Sequence, residues 1–142
     1  MKPISAGVLI TNGRTFLACH STGNRFYDLP KGAPEPGESP EEACRREALE
    51  ETGIALPRGV LKDLGVLSYI KNKDLHLFLW RTDDLPPTEH MSCTTYFMHP
   101  KRNVSLPEVD GYRYLGFPEA KTFMTGAMAA VIERVAQAES YI

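Results

Sequence analysis

Three glutamates stand at short spacings in residues 31–54, which read KGAPEPGESPEEACRREALEETGI. If this segment is helical, spacings of three and four residues place Glu47, Glu50 and Glu51 on one face, with Cβ atoms about 5–6 Å apart. Like charges at that distance repel each other. A hard divalent cation such as Mg²⁺ would relieve the repulsion, because it binds carboxylate oxygens and works together with substrate phosphates. The alternative is an ordinary acidic face exposed to solvent, which the spacing alone does not exclude.

The loop before these glutamates favours a ligand site. Residues 32–37 contain two glycines and two prolines, and glycine allows a backbone to come close to a ligand. Glu38 follows near the start of the helix, where the helix dipole favours a carboxylate. Lys31 lies directly upstream and can meet the charge of a phosphate group. The loop therefore shifts the interpretation from a solvated helix towards a site for metal and phosphate.

The same segment resembles the motif of the Nudix hydrolases, Gly-x5-Glu-x7-Arg-Glu-U-x-Glu-Glu-x-Gly-U, in which U is an apolar residue. Every fixed position of the motif is filled, by Gly32, Glu38, Arg46, Glu47, Ala48, Glu50, Glu51, Gly53 and Ile54. The resemblance implies an α/β/α sandwich with a mixed β-sheet. It also implies the hydrolysis of a nucleoside diphosphate linked to another moiety, with Mg²⁺ or Mn²⁺ as cofactor.

Carried over by position, the resemblance implies a role for each polar residue of the motif. The implied metal ligands are Glu47, Glu50, Glu51 and the carbonyl group of Gly32. Glu47 would also orient or deprotonate the attacking water. Arg46 would orient a glutamate, with Glu47 as the first candidate, and Glu38 would support the geometry of loop and helix. Glu108 is the candidate for an additional acid outside the motif, and a Glu108 that simply faces solvent is the alternative.

The expected substrate is a small nucleotide-type molecule. Lys31 and Arg25 are the cations closest to the motif loop, so they are the candidates for phosphate contacts. Residues 28–32, DLPKG, resemble the segment before the motif in diadenosine and diphosphoinositol polyphosphate hydrolases, although Ala33 replaces their usual His. We expect a dinucleoside polyphosphate of the Ap4A type, with a nucleoside triphosphate or a nucleotide sugar as the alternative. A non-catalytic nucleotide-binding module is a further alternative, which the complete motif disfavours.

The helix that carries the glutamates has local signals at both ends. Ser39 and Glu42 form a Ser-x-x-Glu capping box, and Pro40 suits the first helical position. Gly53 is a typical residue for the C-terminal end. The helix is therefore predicted to run from Pro40 to Thr52.

The remaining elements follow from hydrophobic periodicity and turn signals. Strands are predicted for residues 4–11, 15–20, 64–70, 74–82, 94–98 and 112–117. Asn12 and Gly13 indicate a type I′ hairpin turn between the first two strands. A second helix is predicted for residues 125–138, with an apolar stripe on one face. This order of strands and helices predicts an α/β fold with a mixed sheet.

Composition narrows the class of protein. A chain of 142 residues predicts one domain, residues 1–142. The net charge of -2 provides no general basic field for nucleic acid or a membrane surface, so neither is predicted as a partner. Three scattered cysteines predict free thiols in the reducing cytoplasm, and no apolar run is long enough to span a bilayer. The four histidines lack metal spacing, so no role is predicted for them. The family resemblance makes a homodimer a further expectation.

Overall fold

A seven-stranded mixed sheet forms the centre of the computed structural model, which describes residues 2–142. Its strands are β1 (Ile4–Thr11), β2 (Thr15–Ser21), β3 (Tyr27–Asp28), β4 (Lys31–Gly32), β5 (Lys62–Ile70), β6 (Lys73–Arg81) and β9 (Val109–Gly116). The order is β3-β2-β1-β6-β5, while β4 also pairs with β1 and β9 with β2. Strand β1 runs parallel to β6 and antiparallel to β2 and β4. A separate hairpin consists of β7 (Tyr96–Met98) and β8 (Ser105–Pro107).

Helices cover both faces of the sheet because the central strands are apolar on both sides. The helices are α1 (Pro40–Thr52), the short α2 (Ala120–Phe123) and α3 (Gly126–Ala138). On β6, Leu75 and Leu77 pack in the same buried cluster as Ile132 of α3. Phe78 points to the other face and packs in a second cluster with Ala48 of α1. The predicted α/β/α sandwich with a mixed sheet is confirmed.

The capping signals hold helix α1 in the predicted register. The backbone N–H of Glu42 donates to Ser39 Oγ at 3.1 Å, and the N–H of Ser39 donates to Glu42 Oε1 at 2.8 Å. Gly53 ends the helix in the left-handed conformation, with a φ of 78°. Because both ends are set locally, the face that carries each glutamate follows directly from the sequence.

The turn between β1 and β2 differs from the prediction. A type I′ turn requires positive φ at both central residues, but Asn12 is not among the residues with positive φ, whereas Gly13 has a φ of 91°. The side chain of Asn12 instead accepts hydrogen bonds from the backbone N–H groups of Arg14 and Thr15, at 2.9 and 2.8 Å. The hairpin was predicted correctly, but its turn type was wrong because the Asn12 side chain supplies a local bond of its own.

The cysteines agree with the expectation of free thiols. Cys19 and Cys44 are buried and Cys93 is half-buried, and all three are unpaired in the part of the chain that the structure describes. Within residues 2–142, no helix combines the length and the apolar character needed to cross a membrane.

Candidate active site

The acidic face of helix α1 is not simply a solvated surface. Glu51 is only 7% exposed, and Glu47 and Glu50 are half-buried. Burial, followed by the neighbouring Glu47 and then Glu108, raises the pKa of the Glu51 carboxyl group well above its usual range. Bringing a carboxyl group out of water beside other acids is unfavourable unless a partner compensates. The arrangement therefore suits a site that receives positive charge.

Arg46 connects the motif loop to the acidic face. Its Nε and Nη2 atoms donate to both carboxylate oxygens of Glu38, at 2.8 and 3.0 Å. Nη2 also donates to the carbonyl oxygen of Ala33 at 3.1 Å. On its other side, Nη1 donates to Glu47 Oε1 at 2.9 Å and lies 3.3 Å from Glu50 Oε2. The hydrogen bonds with Glu38, ahead of those with Glu47, raise the pKa of Arg46. Arg46 therefore lies between Glu38 of the loop and Glu47 of the helix, and the roles of these residues stay predictions.

Gly32 makes room for the carboxylate of Glu47. It lies on β4, where it pairs with Ala6 of β1. A Cβ atom added at Gly32 would stand 2.2 Å from both Cδ and Oε1 of Glu47, far inside van der Waals contact. Gly32 is therefore required for space and not for a left-handed backbone, and the Glu47 carboxylate lies directly against the loop.

The oxygen donors at this place fit a hard divalent cation. Glu47 and Glu51 lie side by side, and the Gly32 backbone is adjacent to Glu47. Among residues 2–142, no three acidic, histidine or cysteine side chains are grouped as a complete cage for a metal, and Arg46 draws Glu47 and Glu50 towards its own Nη1 atom. Mg²⁺ usually binds through one or two carboxylates plus substrate phosphates, so it does not need such a cage.

Glu51 lines a small pocket of about 160 Å³ at the edge of the sheet. The residues around it are Cys19, Ser21, Asp28, Leu29, Lys31, Glu51, Glu108 and Val109. The amino group of Lys31 lies 3.1 Å from Asp28 Oδ2 and 5.6 Å from the centre of the Tyr69 ring. Burial alone would lower the pKa of Lys31, but the Asp28 carboxylate raises it above its usual value. Lys31 therefore provides a positive charge opposite the acids.

The two predicted residues outside the motif are placed differently. Glu108 comes to the same pocket as Glu51. Burial, then the charges of Glu47 and Glu50, raise the pKa of its carboxyl group, which is the environment expected of an additional acid. Arg25 is exposed in the turn before β3 and is not among the described residues that line the pocket. A phosphate contact by Arg25 stays a prediction.

A larger pocket of about 420 Å³ adjoins the first, and the two share Ser21 and Glu108. Its other lining residues are Thr22, Gly23, Asn24, Phe97, His99 and Pro100. The sequence predicts no role for His99 or Phe97. Residues 94–99 read TTYFMH and do not alternate between polar and apolar side chains, so the sequence carries no local signal for this face. The direction of that face depends on pairing with β8, which was not predicted.

Tyr112 is another contact that the sequence did not reveal. Its hydroxyl group donates to the backbone carbonyl oxygen of Glu51 at 2.5 Å. The bond fixes the last turn of α1 to strand β9, although the two residues are 61 positions apart. It therefore helps to hold Glu51 at the pocket.

Comparison with known proteins agrees with this geometry. The family model of the Nudix domain matches residues 1–135. The chain belongs to the Nudix family. Members of this family are pyrophosphohydrolases, and the motif residues described above occupy one connected site in this Nudix chain.

Three similar proteins illustrate the relationship. An uncharacterised 17.7 kDa protein of enterobacteria phage T4 is 37% identical over 127 residues, which cover 79% of this chain and 81% of that protein. An RNA pyrophosphohydrolase of Yersinia enterocolitica is 26% identical over 126 residues, covering 80% of this chain and 69% of that protein. The structure of a C. elegans Ap4A hydrolase covers 97% of this chain and 99% of its own, with a TM-score of 0.66 and 17% identity. This last similarity concerns the fold.

Proposed function

We propose that this Nudix protein hydrolyses a phosphoanhydride bond in a nucleotide-type substrate and uses Mg²⁺ or Mn²⁺. The observation that carries the proposal is the buried carboxyl group of Glu51, which lies beside Glu47 and shares a pocket with Lys31. Glu47, Glu50, Glu51 and the Gly32 carbonyl would hold the cation. When bound, such a cation neutralises phosphate charge and acidifies a water molecule.

The other residues of the site have separate roles in the proposed reaction. Glu47, fixed by Arg46, orients the attacking water and accepts its proton. Glu38 and Arg46 are positioning residues, because their bonds hold Glu47 and the loop in one geometry. Lys31 binds a phosphate oxygen, and Glu108 serves as an additional acid at the pocket. Proximity and orientation of this kind supply a large part of the rate enhancement in such reactions.

For the substrate, we propose a dinucleoside polyphosphate of the Ap4A type first. The DLPKG segment supports this substrate because it resembles the corresponding segment of diadenosine polyphosphate hydrolases. Lys31 of this segment lines the small pocket, where it can bind a phosphate group. A nucleoside triphosphate or a nucleotide sugar is the alternative, because each presents the same phosphoanhydride group.

An RNA that carries a phosphoanhydride group is a second candidate substrate. The 26% identity to an RNA pyrophosphohydrolase favours it. It departs from the expectation that no nucleic acid binds. The net charge of -2 excludes only a general basic field. Lys101 and Arg102 are exposed at the tip of the β7–β8 hairpin, next to the larger pocket, and provide local positive charge for a longer polyanion.

A substrate panel tests the proposal. Ap4A, nucleoside triphosphates, nucleotide sugars and a 5′-triphosphorylated RNA oligomer are incubated with Mg²⁺, with Mn²⁺ or with EDTA. Products formed in ¹⁸O-labelled water are identified by mass spectrometry, which shows the phosphorus that is attacked. We expect cleavage of at least one substrate only with the metal present. Tight nucleotide binding in calorimetry without any cleavage would instead identify a non-catalytic nucleotide-binding module.

Two further expectations complete the proposal. The three free thiols support a reducing, cytoplasmic location. The homodimer stays a prediction, for which sedimentation equilibrium is the direct measurement.

A further inference from the structure

The β7–β8 hairpin presents one regular face to the larger pocket. Phe97 and His99 are half-buried and line the pocket, whereas Tyr96 and Met98 between them are 60% and 59% exposed. This is the alternation of a strand with one covered face. The face that carries Phe97 and His99 is therefore directed at the pocket.

Backbone hydrogen bonds on both sides of Glu108 hold this wall in place. The N–H of Glu108 donates to the carbonyl oxygen of Thr95 at 2.9 Å, and the carbonyl oxygen of Glu108 accepts from the N–H of Thr22 at 3.2 Å. The hairpin and the turn after β2 are thus both fixed to the residue that also lines the small pocket. The two pockets therefore adjoin at Glu108, which lines both of them.

His99 lines the pocket and carries a hydrogen-bond donor on one ring nitrogen. Its Nδ1 atom accepts from the backbone N–H groups of Lys101 and Arg102, at 3.2 and 3.1 Å. Because Nδ1 accepts, the neutral ring carries its hydrogen on Nε2. A ligand in the pocket can therefore meet an aromatic surface at Phe97 and a hydrogen-bond donor on the ring of His99.

The volumes of the two pockets suit different parts of a substrate. The larger pocket, at about 420 Å³, is within the range of about 300–1,000 Å³ that is typical of small-molecule sites. The smaller one, at about 160 Å³, is below that range and contains Lys31 and the acids. An elongated ligand with a bulky organic end and a phosphate end fits this arrangement.

We propose that the larger pocket binds one nucleoside of the substrate, with the base against the Phe97 ring and an acceptor atom opposite Nε2–H of His99. Aromatic rings are suitable surfaces for bases because every base has a π face. This inference rests on the proposed function of the acids in the adjoining small pocket. The phosphates of the substrate would extend from the larger pocket past Glu108 to these acids. Phe97 and His99 are then specificity-determining residues, and a second nucleoside would lie outside this pocket.

Calorimetry without metal tests the proposal, with AMP, GMP, CMP and UMP as probes and pyrophosphate as the probe without a base. We expect Phe97→Ala to weaken binding of the preferred nucleotide about 5- to 150-fold, the range that one stacked base supplies. Tyr96→Ala is the matched control, since it removes the adjacent ring from the exposed face of the same strand. It should bind like the wild type, and both variants should bind pyrophosphate as the wild type does.

Two more variants separate recognition from folding. Phe97→Leu keeps an apolar side chain beside Leu106, its partner on β8, but removes the ring, so it should also lose nucleotide affinity. His99→Asn keeps a side-chain acceptor for the turn and removes Nε2–H, so the preference among the four bases should decrease.

The proposal is overturned if the wild type binds none of the four nucleotides. It is also overturned if Phe97→Ala and Phe97→Leu bind them as tightly as Tyr96→Ala does. The calorimetry measures binding without turnover, so its result does not depend on catalysis. The proposed function is tested separately by the substrate panel, and absence of cleavage there would refute the proposed function and not this inference.

Discussion

Replacing Gly32 by alanine should damage turnover far more than stability. The new Cβ atom would stand 2.2 Å from Cδ and Oε1 of Glu47 and 2.5 Å from Oε2. The Glu47 carboxylate must therefore retreat by about 1.2 Å to reach an ordinary contact at 3.4 Å. Because the obstacle is the end of a flexible side chain, this movement relieves most of the strain, and the free energy of unfolding should fall by about 1 kcal/mol or less, at the low end of overpacking costs.

The effect on activity follows from the same movement. The bond from Arg46 Nη1 to Glu47 Oε1 is 2.9 Å long, and a displacement of about 1.2 Å changes the length and angle at which Arg46 holds this carboxylate. A misplacement of about 1 Å in a reacting group can cost about 100-fold in rate. We therefore expect kcat/KM of Gly32→Ala to fall about 100-fold, which corresponds to about 2.7 kcal/mol of transition-state stabilisation.

The assay compares kcat/KM and urea unfolding for the wild type, Gly32→Ala and a control. Gly126→Ala is the matched control, because an added Cβ there meets nothing within 4 Å, and its kcat/KM should be unchanged. Glu47→Asp, which shortens the side chain by one methylene, should cost less activity in the Gly32→Ala background than in the wild type. Wild-type turnover in Gly32→Ala would refute the reasoning, since Glu47 would then not need its observed position.

Further predictions address the helix and its surroundings. Arg46→Lys should lower kcat/KM about 10- to 100-fold, because one ammonium group cannot bind carboxylates on two sides, whereas Arg45→Lys should have no effect; equal values for the two variants would contradict this role. Glu51→Gln should abolish Mg²⁺-dependent turnover, because a neutral amide cannot replace a carboxylate ligand. It should not lower the melting temperature, because the amide has the size of a carboxyl group that burial already holds towards its neutral form. Full turnover in this variant would exclude Glu51 as a ligand. Ser39→Ala should lower the free energy of unfolding by about 1 kcal/mol through loss of the cap and leave kcat unchanged, as urea titration and initial rates would show. Burial raises the pKa of the Cys44 thiol to about 12, so it is protonated at pH 8, and iodoacetamide should label it only after unfolding in urea; labelling of the native protein would show that the helix opens.

Helix α1 shows how far local signals reach. The capping box and Gly53 predicted its bounds, Pro40–Thr52, which the structure confirms. Both signals depend on residues within three or four positions of each other, so no distant contact was needed to read them. The strand predicted for residues 74–82 likewise corresponds to β6 (Lys73–Arg81), because its periodicity is a local pattern.

The hairpin of β7 and β8 shows where such signals stop. A strand near Phe97 was predicted, but β8 and the pocket wall were not. Phe97 pairs with Leu106, and the wall also needs the turn at Thr22 and the backbone of Glu108. These segments are far apart in the sequence, and no local pattern identifies which strand will pair with which.

The sequence by itself determined the register of the acidic helix, because 3.6 residues per turn place glutamates at spacings of three and four on one face. Only the tertiary structure decided what surrounds them. Strand β4 brings Gly32 against Glu47, and the pocket brings Lys31 and Glu108 to Glu51. Burial and the approach of charges from distant segments set the electrostatics of a carboxyl group. These depend on how the chain folds back on itself, whereas helical spacing depends only on neighbours.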